Sequence, residues 1–317
     1  MAYKLFKQEN SRWHHNQMES KKQWRNHFRE LSQININSLL EVLENDAKQA
    51  GWLRYAPLNW AGRPVANRFA QQMLEFDAML ASNHTLREAA TTMIHRYVAD
   101  HETIDAHRLP VEGPVIIAAN HPGLTDTLAL FSSIHRDDIK IIAEAKPFLT
   151  SLPHVSDRLI YLESNRRGGA AVMKQAVRHL ADSGCLVVFP AGKIEADPVI
   201  GPATTTLPSW SNSIFLMASK VAHAKILPVI ISGVCWHRAY QWTHATDLPG
   251  ESSQARFAAA VQLIFQMMLP GFRPTRVQVR YGHTIKMPED GSRASMQETA
   301  IHMKKELLTL IEQNPSQ

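Results

Sequence analysis

Residues 114–126 read Pro114-Val115-Ile116-Ile117-Ala118-Ala119-Asn120-His121-Pro122-Gly123-Leu124-Thr125-Asp126, and the fold is decided by how this stretch is interpreted. The apolar, partly β-branched run after Pro114 predicts a short strand buried on both faces. Pro122-Gly123 then predicts a tight turn. Asp126 opens an amphipathic stretch reaching His135, which predicts a helix with a carboxylate at its N-terminus.

The same alternation continues downstream. Short apolar runs at 139–143, 159–162, 186–189, 226–231 and 277–281 predict strands, and amphipathic stretches at 169–181 and 212–224 predict helices between them. A closing helix is expected over 295–313, and 201–212 reads as a polar loop. This pattern indicates an α/β fold, a mixed, largely buried sheet flanked by helices. Upstream of about 104 the texture is helical. Ile36, Leu39, Leu40 and Leu43 recur at helical spacing, 66–80 predicts a second helix, and Thr85-Leu86-Arg87-Glu88 is a capping-box pattern opening a third. The division expected is an N-terminal helical region, 1–104, and a main domain, 105–317.

Composition narrows the function classes. Lys and Arg outnumber Asp and Glu by 34 to 29, an excess that favours acidic partners without choosing among them. No stripe of interleaved aromatic and basic residues accompanies it, so nucleic acid is not an expected partner. The two cysteines, Cys185 and Cys235, lie in separate apolar runs and suggest a reducing, cytoplasmic setting. The first ten residues lack the apolar core of a secretory signal, and no run reaches the roughly 18–20 apolar residues of a spanning helix. Any work on lipid is therefore expected from the membrane surface, peripherally on the inner face. Lys21, Lys22, Arg25 and Arg29 can share one helix surface facing anionic lipid, or simply face solvent. His14 and His15 have no partners at zinc spacing, so no metal is expected.

His121 and Asp126 carry the chemistry. The spacing alone is a weak signal, since His95 and Asp100 repeat it. Those two lie on a stretch read as one continuous helix, where five residues set them about 140° apart. The turn after His121 instead lets Asp126 return beside the imidazole. A carboxylate on one ring nitrogen fixes the tautomer and leaves the other as general base, so a substrate hydroxyl can take the part of a catalytic serine. A histidine in a turn followed by an N-cap aspartate is the plain structural alternative.

Asn120-His121-Pro122-Gly123-Leu124-Thr125-Asp126 resembles the first block of the glycerolipid (phospholipid/glycerol) acyltransferase family. Ala145-Lys146-Pro147-Phe148-Leu149, Leu159-Ile160-Tyr161-Leu162-Glu163, Val188-Phe189-Pro190-Ala191-Gly192 and Ile226-Leu227-Pro228-Val229 are similar to its later segments, in the same order. The resemblance implies an O-acyltransferase of lipid biosynthesis and phospholipid metabolism. It would move a fatty acyl group from acyl-CoA or acyl carrier protein to a hydroxyl of a lyso-lipid-type acceptor. His121 would act as general base oriented by Asp126, with Lys146 and the Gly192 N–H binding the oxyanion and donor. The thioester is a co-substrate, and no cofactor is implied.

The third block departs from the family. Its usual Phe-Pro-Glu-Gly-Thr-Arg-Ser reads Phe189-Pro190-Ala191-Gly192-Lys193-Ile194-Glu195 here. Either Arg166, Arg167 and Lys193 rebuild an anion site for the acceptor, or the acceptor carries no phosphate, as in ornithine-lipid and other lyso-lipid branches. The Phe-Pro-Ala-Gly spelling favours the second. The rival class is a non-catalytic peripheral lipid-binding protein on the same scaffold.

Overall fold

The computed structural model describes residues 24–37, 56–162, 168–200, 210–243, 250–269, 271–288 and 292–313. Helix α1 spans residues 24–37, followed by α2 (Ala56–Ala81) and α3 (Leu86–Ile94). The capping box is present: Glu88 N–H donates to Thr85 Oγ1, and the Glu88 carboxylate accepts from the Thr85 N–H. Helix α3 ends at Ile94, and Asp100 opens strand β1 (Asp100–Ile104). This corrects the reading of His95 and Asp100 as members of one helix. They sit on different elements, and a strand lies inside the stretch read as helical.

The remaining elements are β2 (Val115–Ala119), α4 (Asp126–Ser133), β3 (Ile139–Glu144), α5 (Pro147–Thr150), α6 (Pro153–Ser156), β4 (Leu159–Leu162), α7 (Gly168–Ala181), β5 (Cys185–Val188), α8 (Ser213–Ala218), β6 (Lys225–Ser232), α9 (His237–Thr243), α10 (Gly250–Met268), β7 (Arg276–Tyr281), β8 (Ile285–Lys286) and α11 (Arg293–Glu312). The strands form one sheet in the order β1-β7-β6-β2-β5-β3-β4, with β8 also on β6. Strands β2 to β6 run parallel, whereas β7 and β8 pair antiparallel with β6. The mixed α/β fold is thus as the sequence leads one to expect.

Every residue of β2 is buried, because the strand lies mid-sheet with helices on both faces. Its alternation divides the core. Val115, Ile117 and Ala119 join Ile94, Ala129, Leu130 and Met267 on the α3–α4–α10 side. Ile116 and Ala118 join Val172, Phe215 and Leu307 on the α7–α8–α11 side. Burying each such isoleucine is worth about 1.5–3 kcal/mol, so a one-residue slip of β2 would exchange the two cores.

The N-terminal helices pack against the segment after β3. Leu31 of α1 and Leu74 of α2 meet Leu152, and the Asp77 carboxylate accepts from Val155 N–H and pairs with His154 Nδ1 at 3.0 Å. Arg25 and Arg29 are exposed on α1. Lys21, Lys22, Leu39, Leu40 and Leu43 lie outside the described residues, as does most of the 201–212 loop.

Candidate active site

Strands β5, β2 and β6 are adjacent and parallel, and their carboxyl ends deliver three loops to one edge of the sheet. Such an edge is where open α/β sheets form crevices. Asn120, the residue after β2, fixes the first loop. Its side-chain amide donates to Ile231 O at 2.8 Å and accepts from Ile231 N–H at 2.7 Å, copying a strand pairing.

His121 follows, and Pro122-Gly123 turns the chain so that α4 starts at Asp126. His121 Nδ1 lies 2.6 Å from Asp126 Oδ2. The same oxygen accepts from Gly123 N–H at 3.0 Å, and Oδ1 accepts from the Thr127 N–H and hydroxyl. Asp126 is fully buried, whereas the His121 side chain keeps 27% of its surface open. With Nδ1 facing the carboxylate, Nε2 is the nitrogen left for a substrate. Burial disfavours the imidazolium, but the Asp126 carboxylate, assisted by Glu195, outweighs it and holds the His121 pKa above the ordinary histidine value.

Glycine at 123 has a packing reason. A Cβ there would stand 2.8 Å from Val234 Cγ1 in the loop after β6. That loop is held by Asp197, whose buried carboxylate accepts the N–H groups of Val199, Gly233, Val234 and Cys235. Burial pushes the Asp197 carboxyl pKa upward despite those four donors.

The loop after β5 closes the other side. The Phe189 ring lies 4.7 Å from the His121 ring, centroid to centroid. Glu195, fully buried, ties this loop to His121 twice. Glu195 N–H donates to His121 O at 2.8 Å, and His121 N–H donates to Glu195 Oε2 at 3.0 Å. Trp210 Nε1–H supplies the other carboxylate oxygen at 2.8 Å. The motif reading missed this pairing; an acidic residue closing the altered third block was the signal available for it.

Gly192 adopts φ +64°, a conformation that suits glycine, and its N–H donates to Phe189 O at 3.0 Å. In this conformation that N–H closes its own turn. Lys193 is exposed beside it. Lys146 stands just before α5, at the carboxyl end of β3, and its ammonium pairs with Glu144 at 3.0 Å on the surface. Arg166 and Arg167 lie outside the described residues.

A small cleft lies at the turn between His121 and Asp126, lined by Gly123, Leu124, Thr125, Val234, Cys235 and Gln262, among others. Thr125 Oγ1 is buried there without a hydrogen-bond partner. Burial pushes the Cys235 thiol pKa upward, which argues against a thiolate nucleophile in the cleft. Toward the end of α10, Met267 packs in the core and Met268 is exposed. Among the described residues no three His, Cys, Asp or Glu side chains converge to hold a metal ion. Nor is any described helix long and apolar enough to cross a membrane.

Residues 100–232 match the model of a protein family described as Acyltransferase. The match runs from β1 to the end of β6 and contains His121, Asp126, Lys146 and Gly192. It bears out the resemblance carried by the sequence motifs. Among solved structures, the crystal structure of the 1-acyl-sn-glycerophosphate (LPA) acyltransferase, PlsC, from Thermotoga maritima is similar. It is 15% identical with a TM-score of 0.44, over 92% of this chain and 95% of that one. No curated protein matches the chain.

Proposed function

We propose that this chain, whose residues 100–232 match the acyltransferase family, moves a fatty acyl group from acyl-CoA or acyl carrier protein to a hydroxyl of a lyso-lipid-type acceptor. The observation that carries the reading is the His121–Asp126 contact, with the carboxylate buried and the imidazole partly exposed.

Asp126 accepts the Nδ1–H and holds the ring so that Nε2 meets the acceptor hydroxyl. Nε2 takes that proton as the oxygen attacks the thioester carbonyl. The tetrahedral intermediate then expels the thiolate as the C–S bond breaks, and the imidazolium returns its proton to sulfur. The products are an ester and a free thiol, and His121 is neutral again. The raised pKa strengthens Nε2 as the base that takes the hydroxyl proton. An oxyanion needs preorganised donors. We assign Lys146 and the Gly192 N–H to that task. It requires the Gly192 turn to release Phe189 O and the Lys146 amine to leave Glu144. Lys193, with Arg166 and Arg167, is assigned to the acceptor, and the protein would work peripherally at the cytoplasmic face of an anionic membrane.

The closed Gly192 turn is the one observation favouring the rival reading, a lipid-binding protein without turnover. Release of free thiol from acyl-CoA and from acyl carrier protein, measured against a panel of lyso-lipids with and without phosphate, separates the two. Turnover with one pair, lost in His121→Ala, supports the enzyme. Thiol release that ignores His121, or none with any pair, sinks it.

A further inference from the structure

Beside the cleft lies an aromatic face that the chemistry does not use. Gln262 of α10 joins the two. Its amide accepts from Trp236 N–H at 2.7 Å and donates to Val234 O at 3.0 Å, while the same side chain lines the cleft beside Gly123 and Leu124. Beyond it, Trp236 contacts Trp242, Phe265 and Phe272 edge to face, with centroids 4.9–5.5 Å apart. Trp242 is 46% exposed, and Met268 and Leu269 at the end of α10 are 45% and 50% exposed. Leu124, on the rim of the cleft, is also exposed. Apolar and aromatic side chains thus stand at a surface beside the cleft where a core would have hidden them.

Cations border this face, although Glu251 at the start of α10 lies close enough to act on Tyr240 of α9. Arg238 and His237 are exposed on α9, and Arg273 is exposed next to Phe272. Arg68 donates to Met267 O, which places its guanidinium at the end of α10. Residues 198–246 and 252–288, which supply the whole aromatic face, contain no Asp or Glu. Tryptophan combines an apolar body with a polar N–H and favours the boundary between hydrocarbon and water, and arginines beside it suit lipid phosphates.

We propose that the face built by Trp236, Trp242, Phe265, Met268, Leu269 and Phe272 docks on the surface of an anionic lipid bilayer. It seats the cleft at the membrane, so that a lipid acceptor reaches His121 without its chain crossing water. The purpose rests on the acyl-transfer reading, but the docking can be measured without any turnover.

The test is cosedimentation of the full chain with vesicles of phosphatidylcholine alone and of phosphatidylcholine mixed with phosphatidylglycerol. Wild type and His121→Ala are expected to bind the anionic vesicles alike, and more weakly as salt is raised. Trp242→Ala combined with Leu269→Ser is expected to lower the partition coefficient about tenfold or more, from the loss of two buried apolar side chains. Arg238→Gln with Arg273→Gln should remove most of the preference for anionic over neutral vesicles. Both sites are on the surface, and an unchanged circular dichroism melt confirms folding. If it does not hold, Leu269→Glu alone serves as the apolar test.

Three results overturn the proposal. One is binding unchanged by either pair but lost in Arg25→Gln with Arg29→Gln on α1. Another is no vesicle binding by wild type. The third is self-association of wild type in the absence of lipid that the Trp242 pair abolishes, which would make a second copy the occupant. Vesicle binding without any thiol release leaves the docking in place and removes the acyl-transfer reading alone.

Discussion

The imidazole Nδ1 of His121 stands 2.6 Å from Oδ2 of Asp126, across a turn whose own Gly123 N–H donates to the same carboxylate oxygen. The turn and the pair are one unit. The carboxylate that orients the histidine also holds the backbone that delivers it.

Removing either partner should therefore have different consequences. His121→Ala is expected to lower kcat by about 10²–10⁴-fold, the range for loss of a general base, with little change in melting temperature because the ring is partly open. Asp126→Asn should lower kcat comparably and also destabilise the fold, since its amide cannot serve all the donors now facing two carboxylate oxygens. Thiol-release kinetics and thermal melts, run side by side, distinguish the two patterns.

The pH dependence follows from the raised His121 pKa. Turnover needs the neutral ring, so kcat/KM should rise with pH through an inflection above the ordinary histidine value. In Asp126→Asn burial dominates and any residual activity should inflect at lower pH. Stability runs the other way. A folded-state pKa above the unfolded one stabilises the fold at pH below the ordinary histidine value, and that contribution is lost as pH rises through the raised value. A kcat/KM profile with no inflection above the ordinary value would contradict the assignment.

Gly123→Ala puts a methyl group 2.8 Å from Val234 Cγ1. The expected cost is about 1–3 kcal/mol, typical of overpacking, seen in denaturant melts together with lower activity. The double variant with Val234→Ala should recover part of it. Strict additivity of the two single changes would show that the contact is not the reason for glycine.

Glu195→Gln leaves one amide NH2 facing either the His121 N–H or the Trp210 Nε1–H. An unsatisfied buried donor costs about 1–3 kcal/mol. Loss of the negative charge should also move the kcat/KM inflection to lower pH, which a purely structural role would leave in place. Trp210→Phe, which removes a donor instead, should melt lower without that displacement.

Much of this was legible along the chain. The runs at 114–119 and 226–231 are buried strands because their apolar residues had no other way to leave water, and period and length revealed them. His121 and Asp126 were legible because a turn brings them together within five residues. Strand β1 was not, since Asp100-His101-Glu102-Thr103-Ile104 has little apolar content and is extended through its pairing with β7.

By itself, then, the sequence determined the alternation of strand and helix, the buried sheet, and the histidine–aspartate pair, all set by local pattern over a few residues. Only the tertiary structure decided that Glu195 locks His121 across 74 positions. It also decided that Val234 requires glycine at 123, and that aromatic residues of α9 and α10 meet on one exposed face. Those relationships depend on which loops the sheet order brings to a common edge, and no local propensity encodes that order.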